Sequence, residues 1–185
     1  MLKNKLIICV MSLLLNLAYA SCDKYQNVFK LMQQRATLLK DVAANKYVSK
    51  SSPYDTKQEL SVLTNVSQLA DNLNLEKYSL LSFAQIQMDL SKQIEQFWLN
   101  SWQKSPESFP KKYLDLATIR EQIKLIDQQI YPGLKLALTN PNSCSEAQMQ
   151  TQFNSIFTTQ LDGIPSTPDY AKIMVNSIFN LKLAN

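Results

Sequence analysis

The chain has 185 residues, 19 basic and 15 acidic side chains, no histidine and only two glycines. Without histidine, serine–histidine and cysteine–histidine nucleophile pairs are excluded. The two glycines exclude glycine-rich phosphate loops, and the mild charge, without arginine-rich or lysine-rich runs, argues against nucleic acid as a partner. The chemistry of this protein must therefore use Arg, Lys, carboxylates, amides and hydroxyls.

Residues 1–20 are predicted to form a cleavable signal peptide. Two lysines give this segment a basic start, an apolar stretch covers residues 6–17, and Ala18-Tyr19-Ala20 fits an A-x-A cleavage site. The apolar stretch is short for a membrane span, and a lipid anchor at Cys22 fits the cleavage pattern less well. We therefore expect cleavage after Ala20 and a periplasmic or secreted protein with no membrane attachment.

Cleavage would leave residues 21–185, enough for one domain with a substantial core. The net charge would fall from +4 to +2 with the loss of the two signal-peptide lysines. Two cysteines would remain, Cys22 and Cys144, in an oxidising compartment. This even count predicts one disulfide, and two thiols without histidine argue against a metal site.

Helical patterns separated by Pro, Gly and Asn fill this domain. Strand-like alternation is missing, so the sequence predicts an all-α, single-domain bundle of about six helices with a long first helix. A capping-box pattern at Ser52-Pro53-Tyr54-Asp55 opens the second helix, Asn74 can cap the third, and Tyr131-Pro132-Gly133 should break or kink the fourth. The predicted helices cover roughly residues 23–50, 53–73, 74–104, 113–130 and 145–161, with a sixth from 168 onward, a linker at 105–112 and turns at 140–142 and 163–165.

Arg35 and Lys46 lie eleven positions apart in the first predicted helix. At about 100° per residue, they return to within roughly 20° of one direction, about 16 Å apart along the axis. Their face is also the apolar one, which carries Val28, Leu39 and Val42. Cations in an apolar stripe require an anionic partner, which another helix or a ligand could supply.

The second predicted helix places two carboxylates on its apolar face, because Asp55 and Glu59 are four residues apart. Asp55 could simply cap the helix. Glu59 could pair with Lys46 or Arg35, or it could serve a ligand. The spacing leaves these alternatives open.

Ser91 and Glu95 are four residues apart in the third predicted helix, on a face with Trp98 and Trp102. If Glu95 is buried there, desolvation raises its pKa and makes it a hydrogen-bond donor near neutral pH. Alternatively, Glu95 pairs with a cation inside the bundle, or it lies in solvent at the edge of the stripe.

The fourth predicted helix carries Arg120. Its spacing alone predicts a surface residue that lies beside Glu121 or pairs with Asp127. Taken together, the inward-facing cations, carboxyl groups and hydroxyls suit a small pocket for a polyanionic ligand. The spacing does not name that ligand.

The segment QQRATLLKDVAANKY, residues 33–47, resembles the all-helical chorismate mutases, most closely their exported gamma subclass. That family carries an Arg in its first helix and a Lys eleven residues later, which Arg35 and Lys46 match. The signal peptide, the length and a cysteine in the second half of the chain agree with the subclass. Further matches to the family pattern are Asp55, Glu59, Ser91, Glu95, Trp102 and Arg120.

The resemblance implies conversion of chorismate to prephenate, an intramolecular Claisen rearrangement that needs no metal or cofactor. It assigns carboxylate binding to Arg35, Arg120 and Ser91. It has Lys46 donate to a carboxylate and to the ether oxygen, and it makes a protonated Glu95 the second donor to that oxygen. The resemblance also allows a homodimer, although no interface is readable.

In the second helix, the resemblance has Glu59 accept from the substrate hydroxyl, with the backbone near Asp55 helping. The family usually has an Arg three residues after this Asp, where the chain has Gln58. Gln58 is a substrate contact that can donate a hydrogen bond but brings no charge. Alternatives are a non-catalytic exported helical protein that binds a small anion or a protein partner, and a lyase-type enzyme acting on a related carboxylate.

Overall fold

The computed structural model describes residues 22–139, 144–157 and 168–184. The described residues are helical apart from loops, one short 3-10 turn and an isolated antiparallel bridge, which confirms the predicted all-α class. The predicted signal peptide and the predicted turns at 140–142 and 163–165 lie outside these residues. The helices are α1 (Asp23–Thr37), α2 (Leu39–Ser49), α3 (Thr56–Leu73), α4 (Lys77–Lys104), α5 (Leu116–Thr139), α6 (Glu146–Phe157) and α7 (Pro168–Phe179).

The long first helix is interrupted at Leu38, which separates α1 from α2. The Leu38 N–H donates to the Arg35 carbonyl at 3.3 Å, three residues back, instead of continuing the α-helical pattern. The Thr37 hydroxyl also donates to the Gln34 carbonyl at 2.6 Å. Such hydroxyl bonds to the preceding turn compete with the helix ladder. The prediction of one continuous helix over 23–50 is therefore wrong at this single turn.

The start of α3 is fixed by Asp55, whose side chain accepts from the Gln58 N–H at 3.0 Å. The cap prediction for Asp55 is confirmed, but the capping-box prediction at residues 52–55 is wrong, because the helix begins at Thr56. Asn74 does not cap α4. It ends α3 in the left-handed region, with φ 53°, a conformation that Asn tolerates.

Glu76 caps α4 by accepting from the backbone N–H groups of Tyr78 and Ser79 at 3.0 and 2.7 Å. These two bonds lower the pKa of Glu76. A carboxylate at this position also stabilises the positive end of the helix dipole. The cap predicted at Asn74 thus lies two residues before the observed cap, Glu76.

Helix α5 begins at Leu116, not at Tyr113, and it continues through Pro132 to Thr139. Of the predicted break or kink at residues 131–133, the break is wrong. Proline in a helix costs about 3 kcal/mol, but the residues around it are buried in the core, which offsets this cost. A Cβ at Gly133 would lie 3.0 Å from a methyl group of Val28, so the glycine lets α5 approach α1 closely.

The core lies between α1, α4, α5, α6 and α7. Helix α1 packs against α5 and α6, α2 and α3 pack against α4, and α7 packs against α4 and α6. Phe29 of α1 is fully buried and meets Phe153 of α6 edge to face, with ring centroids 5.2 Å apart. A separate small cluster joins Trp102 of α4 to Ala43 and Ala44 of α2. These contacts hold α2 and α4 side by side where the polar residues of both helices meet.

A disulfide joins Cys22, just before α1, to Cys144, just before α6, with Cα atoms 5.3 Å apart. The pairing is the one that the cysteine count predicted. Its two cysteines are 122 positions apart. Closing so long a loop restricts the unfolded chain strongly.

Removal of the disulfide by Cys22→Ser with Cys144→Ser should lower the free energy of unfolding by about 2–4 kcal/mol. Denaturant unfolding of the oxidised protein, with and without reductant, measures this difference. The double serine variant is the control, since its unfolding curve should not respond to reductant. Coincident curves for the oxidised and reduced protein would contradict the prediction.

Candidate active site

A cavity of about 700 Å³ lies between α1–α2, α3, α4 and α5. All eight predicted substrate-binding residues line it, although they come from five helices and the loop before α3. The chain has only two arginines, and both line this cavity. The eight are Arg35, Lys46, Asp55, Gln58, Glu59, Ser91, Glu95 and Arg120.

Arg35 lies in the last turn of α1 and is only 8% exposed. Its Nε donates to Asp127 Oδ1 at 3.0 Å, and its Nη1 donates to Ser91 Oγ at 2.9 Å. Ser91 in turn donates to the Gln87 carbonyl at 3.0 Å, which fixes the hydroxyl. The guanidinium is thus held between α5 and α4, and its pairing with another helix answers the question that the sequence left open.

Lys46 lies in α2 and is 9% exposed. Its Nζ donates to Glu95 Oε2 at 2.6 Å and to the Pro53 carbonyl at 2.9 Å. This buried ion pair links α2 to α4 and to the loop before α3. A buried charge without such partners would be strongly destabilising.

Glu95 is 5% exposed, so the solvent-edge alternative is wrong and the ion-pair alternative is correct. Burial raises the pKa of Glu95, as the sequence predicted for a buried carboxyl. The nearby charges of Lys46, Arg35 and Arg120 lower it, but by less. The raised pKa favours the neutral form of Glu95, a hydrogen-bond donor, more than in an exposed carboxyl group.

The loop and first turns of α3 form the opposite wall of the cavity. Asp55 uses its second carboxylate oxygen to accept from Arg120 Nη2 at 3.2 Å, so Arg120 pairs with α3 and not with Asp127 or Glu121. Both side chains of this pair are partly exposed, which makes it weak and exchangeable. Gln58 is exposed at the cavity wall.

Glu59 does not pair with Lys46 or Arg35, as the sequence had allowed. It accepts from Lys92 Nζ at 3.0 Å, and Lys92 also contacts Asp89 at 2.9 Å. Burial lowers the pKa of Lys92, but the bonds to Asp89 and Glu59 outweigh this effect and raise it.

Four charged residues of the cavity lining lie outside the predicted set, namely Lys92, Glu121, Lys124 and Asp127. Asp127 lies seven residues after Arg120, two helical turns along the same side of α5. This spacing is a signal that could have identified it. Burial raises the pKa of Asp127, and its partner Arg35 opposes this rise. Lys92 carried no such signal, since it directly follows Ser91 and points about 100° away from it on an isolated helix.

The described lining of the cavity carries five basic and five acidic side chains, so its formal charge is balanced when all are ionised. Protonation of a buried carboxyl would make the cavity cationic and suited to an anionic ligand. Within residues 22–139, 144–157 and 168–184, no group of three potential metal ligands comes together. Over the same residues, no helix is both long and apolar enough to cross a membrane.

Residues 23–96 match the family model for chorismate mutase type II. This segment runs from the start of α1 to the residue after Glu95, so it holds Arg35, Lys46 and the α3 wall of the cavity. Arg120 and Asp127 lie beyond it, on α5.

Solved structures of bacterial chorismate mutases are similar in fold. The secreted chorismate mutase from Yersinia pestis has a TM-score of 0.74 at 21% identity, over 84% of this chain and 97% of that one. The chorismate mutase from Burkholderia phymatum has a TM-score of 0.71 at 18% identity, over 86% and 98%. The enzyme from Burkholderia thailandensis has a TM-score of 0.67 at 22% identity, over 84% and 98%. The family match over residues 23–96 and the shared fold together show that the chain has an all-helical fold similar to that of the bacterial chorismate mutases.

Proposed function

We propose that this protein is a chorismate mutase that converts chorismate to prephenate in the cavity between α1–α2, α3, α4 and α5. The observation that carries the proposal is the placement of two buried cations, Arg35 and Lys46, beside a carboxyl of raised pKa, Glu95, in a cavity of about 700 Å³. Buried cations suit a dianionic substrate, and a neutral carboxyl can donate to an oxygen that gains charge.

The reaction needs positioning and electrostatic stabilisation, because no group is transferred to the protein. Holding both substrate carboxylates folds chorismate into the reactive chair. Arg35 would bind one carboxylate through Nη2, since Nε donates to Asp127 and Nη1 donates to Ser91. Arg120 would bind the other after leaving Asp55, an exchange that the weak surface pair permits.

In the transition state the C–O bond lengthens and the ether oxygen gains negative charge. Lys46 and protonated Glu95 would donate to that oxygen more strongly in the transition state than in the ground state. Their close contact in the free protein places both on one side of the cavity. Glu59 would accept from the substrate hydroxyl, Ser91 would contact a carboxylate, and Gln58 would add a hydrogen bond at the α3 wall.

We also propose that the protein is exported by a signal peptide cut after Ala20 and acts in the periplasm or outside the cell. The disulfide between Cys22 and Cys144 supports this placement, because such bonds persist in oxidising compartments. The solved structure of a secreted chorismate mutase with the same fold supports it as well. Mass spectrometry of the exported protein should find Ser21 at its N-terminus.

Product identification tests the proposed reaction. The purified protein is incubated with chorismate, and prephenate is distinguished from pyruvate-releasing products by NMR. Prephenate as the sole product supports the mutase. Pyruvate release would indicate a lyase, and binding of chorismate without turnover would favour the anion-binding protein, with Gln58 as the first residue to suspect.

The pH dependence of the reaction should report on Glu95. If Glu95 must be protonated, kcat is full below its raised pKa and falls as the pH rises through that pKa. Glu95→Gln keeps a donor at every pH, so its profile should stay flat over the range in which the wild-type rate falls. A pH–rate series for both proteins makes this comparison. An alkaline fall of the same size and position in Glu95→Gln would remove Glu95 from the donor role.

A further inference from the structure

The ammonium group of Lys92, which lines the cavity, contacts two carboxylates and one aromatic ring. Its Nζ lies 3.0 Å from Glu59 on α3, 2.9 Å from Asp89 on its own helix and 5.3 Å from the ring centre of Tyr54. The side chain is only 16% exposed. Three partners, from α3, from α4 and from the loop before α3, therefore hold the ammonium in one place.

Lys92 offsets the negative charge that Glu59 would present to an anionic ligand in the cavity. A carboxylate in a cavity for a dianion repels that ligand, and at about 4–6 Å such repulsion is substantial. Glu59 lines the cavity and forms an ion pair with Lys92. The ion pair uses Oε2 of Glu59, which leaves Oε1 as the acceptor for a ligand hydroxyl.

We propose that Lys92 is a positioning residue of the substrate site, which neutralises Glu59 and orients its carboxylate so that Glu59 can accept the substrate hydroxyl beside a dianion. This inference rests on the proposed function. Lys92 acts through Glu59, so the loss of Lys92 should weaken substrate binding only while Glu59 carries a charge.

A double-mutant cycle tests the proposal, with kcat and KM for chorismate measured for the wild type, Lys92→Gln, Glu59→Gln and the double variant. Lys92→Gln should lower kcat/KM about tenfold, mainly through KM, because the partly buried carboxylate of Glu59 has lost its partner. In the Glu59→Gln background the same change should cost less than about twofold, since no charge remains to neutralise. Lys92→Arg should stay within about threefold of the wild type, because Arg can also pair with Glu59.

Lys77→Gln is the matched control. Lys77 also lies on α4 and also pairs with a carboxylate of α3, Asp71, but at the far end of the helix and in solvent. This variant should have wild-type kinetics. Thermal unfolding of every variant separates a loss of fold from a loss of binding.

Two results would overturn the proposal while leaving the proposed function intact. The first is a wild-type KM for chorismate in Lys92→Gln, measured alongside an active wild-type protein. The second is an equal loss from Lys92→Gln with and without the Glu59 charge, which would indicate a role in stability alone. A folded wild type that does not convert chorismate would overturn the proposed function, and this inference with it.

Discussion

Lys46→Ala is expected to lower kcat/KM for chorismate by at least about 10³-fold, with most of the loss in kcat. Lys46 is buried, and we assign its ammonium to the ether oxygen that gains charge during the rearrangement. An interaction that strengthens in the transition state affects kcat when it is lost. Steady-state kinetics on the purified variant measures the effect.

The stability of this variant needs a control, because Lys46→Ala leaves Glu95 buried without its cation. Stranding one member of a buried pair costs about 3–5 kcal/mol when the other stays ionised. Glu95 can instead take up a proton, which its raised pKa favours. Lys46→Ala with Glu95→Gln removes the stranded charge altogether. If this double variant is stable and still turns over at a near-normal rate, Lys46 has no catalytic role.

Arg35→Ala is expected to lower kcat/KM by about 10³-fold, with KM and kcat both affected. The guanidinium is pre-oriented by Asp127 and Ser91, so its Nη2 group meets a substrate carboxylate at little entropic cost. Without it, the substrate loses one of the two contacts that fold it into the reactive chair. Kinetics over a wide range of chorismate concentration separates the two effects.

Arg35→Lys and Lys30→Ala complete this test. Arg35→Lys keeps the charge but loses the planar fork, so its activity should lie between those of Arg35→Ala and the wild type. Lys30 is an exposed cation on the same helix, and its loss should leave the kinetics unchanged. Wild-type kcat/KM in a folded Arg35→Ala protein would contradict the assignment of the cavity.

The periodicity of a single helix was sufficient to predict the buried cations. Arg35 and Lys46 are brought to one side by helix geometry alone, and the interruption at Leu38 does not undo this placement. Ser91 and Glu95 follow the same rule on α4, where both are buried. The resemblance added Arg120 and the substrate, which no spacing could supply.

Partner choice between helices could not be predicted in this way. The pairing of Glu59 with Lys92, and of Arg120 with Asp55, depends on how α3 rotates against α4 and α5. A periodic pattern determines which residues of one helix face the core. It does not determine the rotation and crossing angle of that helix against its neighbour.

Local sequence signals failed where packing decides the outcome. Pro132 predicts a break, yet buried neighbours and the close approach at Gly133 keep α5 continuous. Asn74 carries a side chain suited to a helix start, but its place at the end of α3 requires a left-handed residue. In both cases the competing requirement comes from a contact or a turn that is not visible in the local pattern.

The most direct test of this account is the yield of prephenate from chorismate, measured side by side for the wild-type protein and Arg35→Ala. We expect complete conversion to prephenate by the wild type and conversion near the uncatalysed rate by a folded Arg35→Ala protein. Conversion that persists in Arg35→Ala would show that the chemistry does not occur in this cavity. No conversion by the folded wild type would contradict the account as a whole.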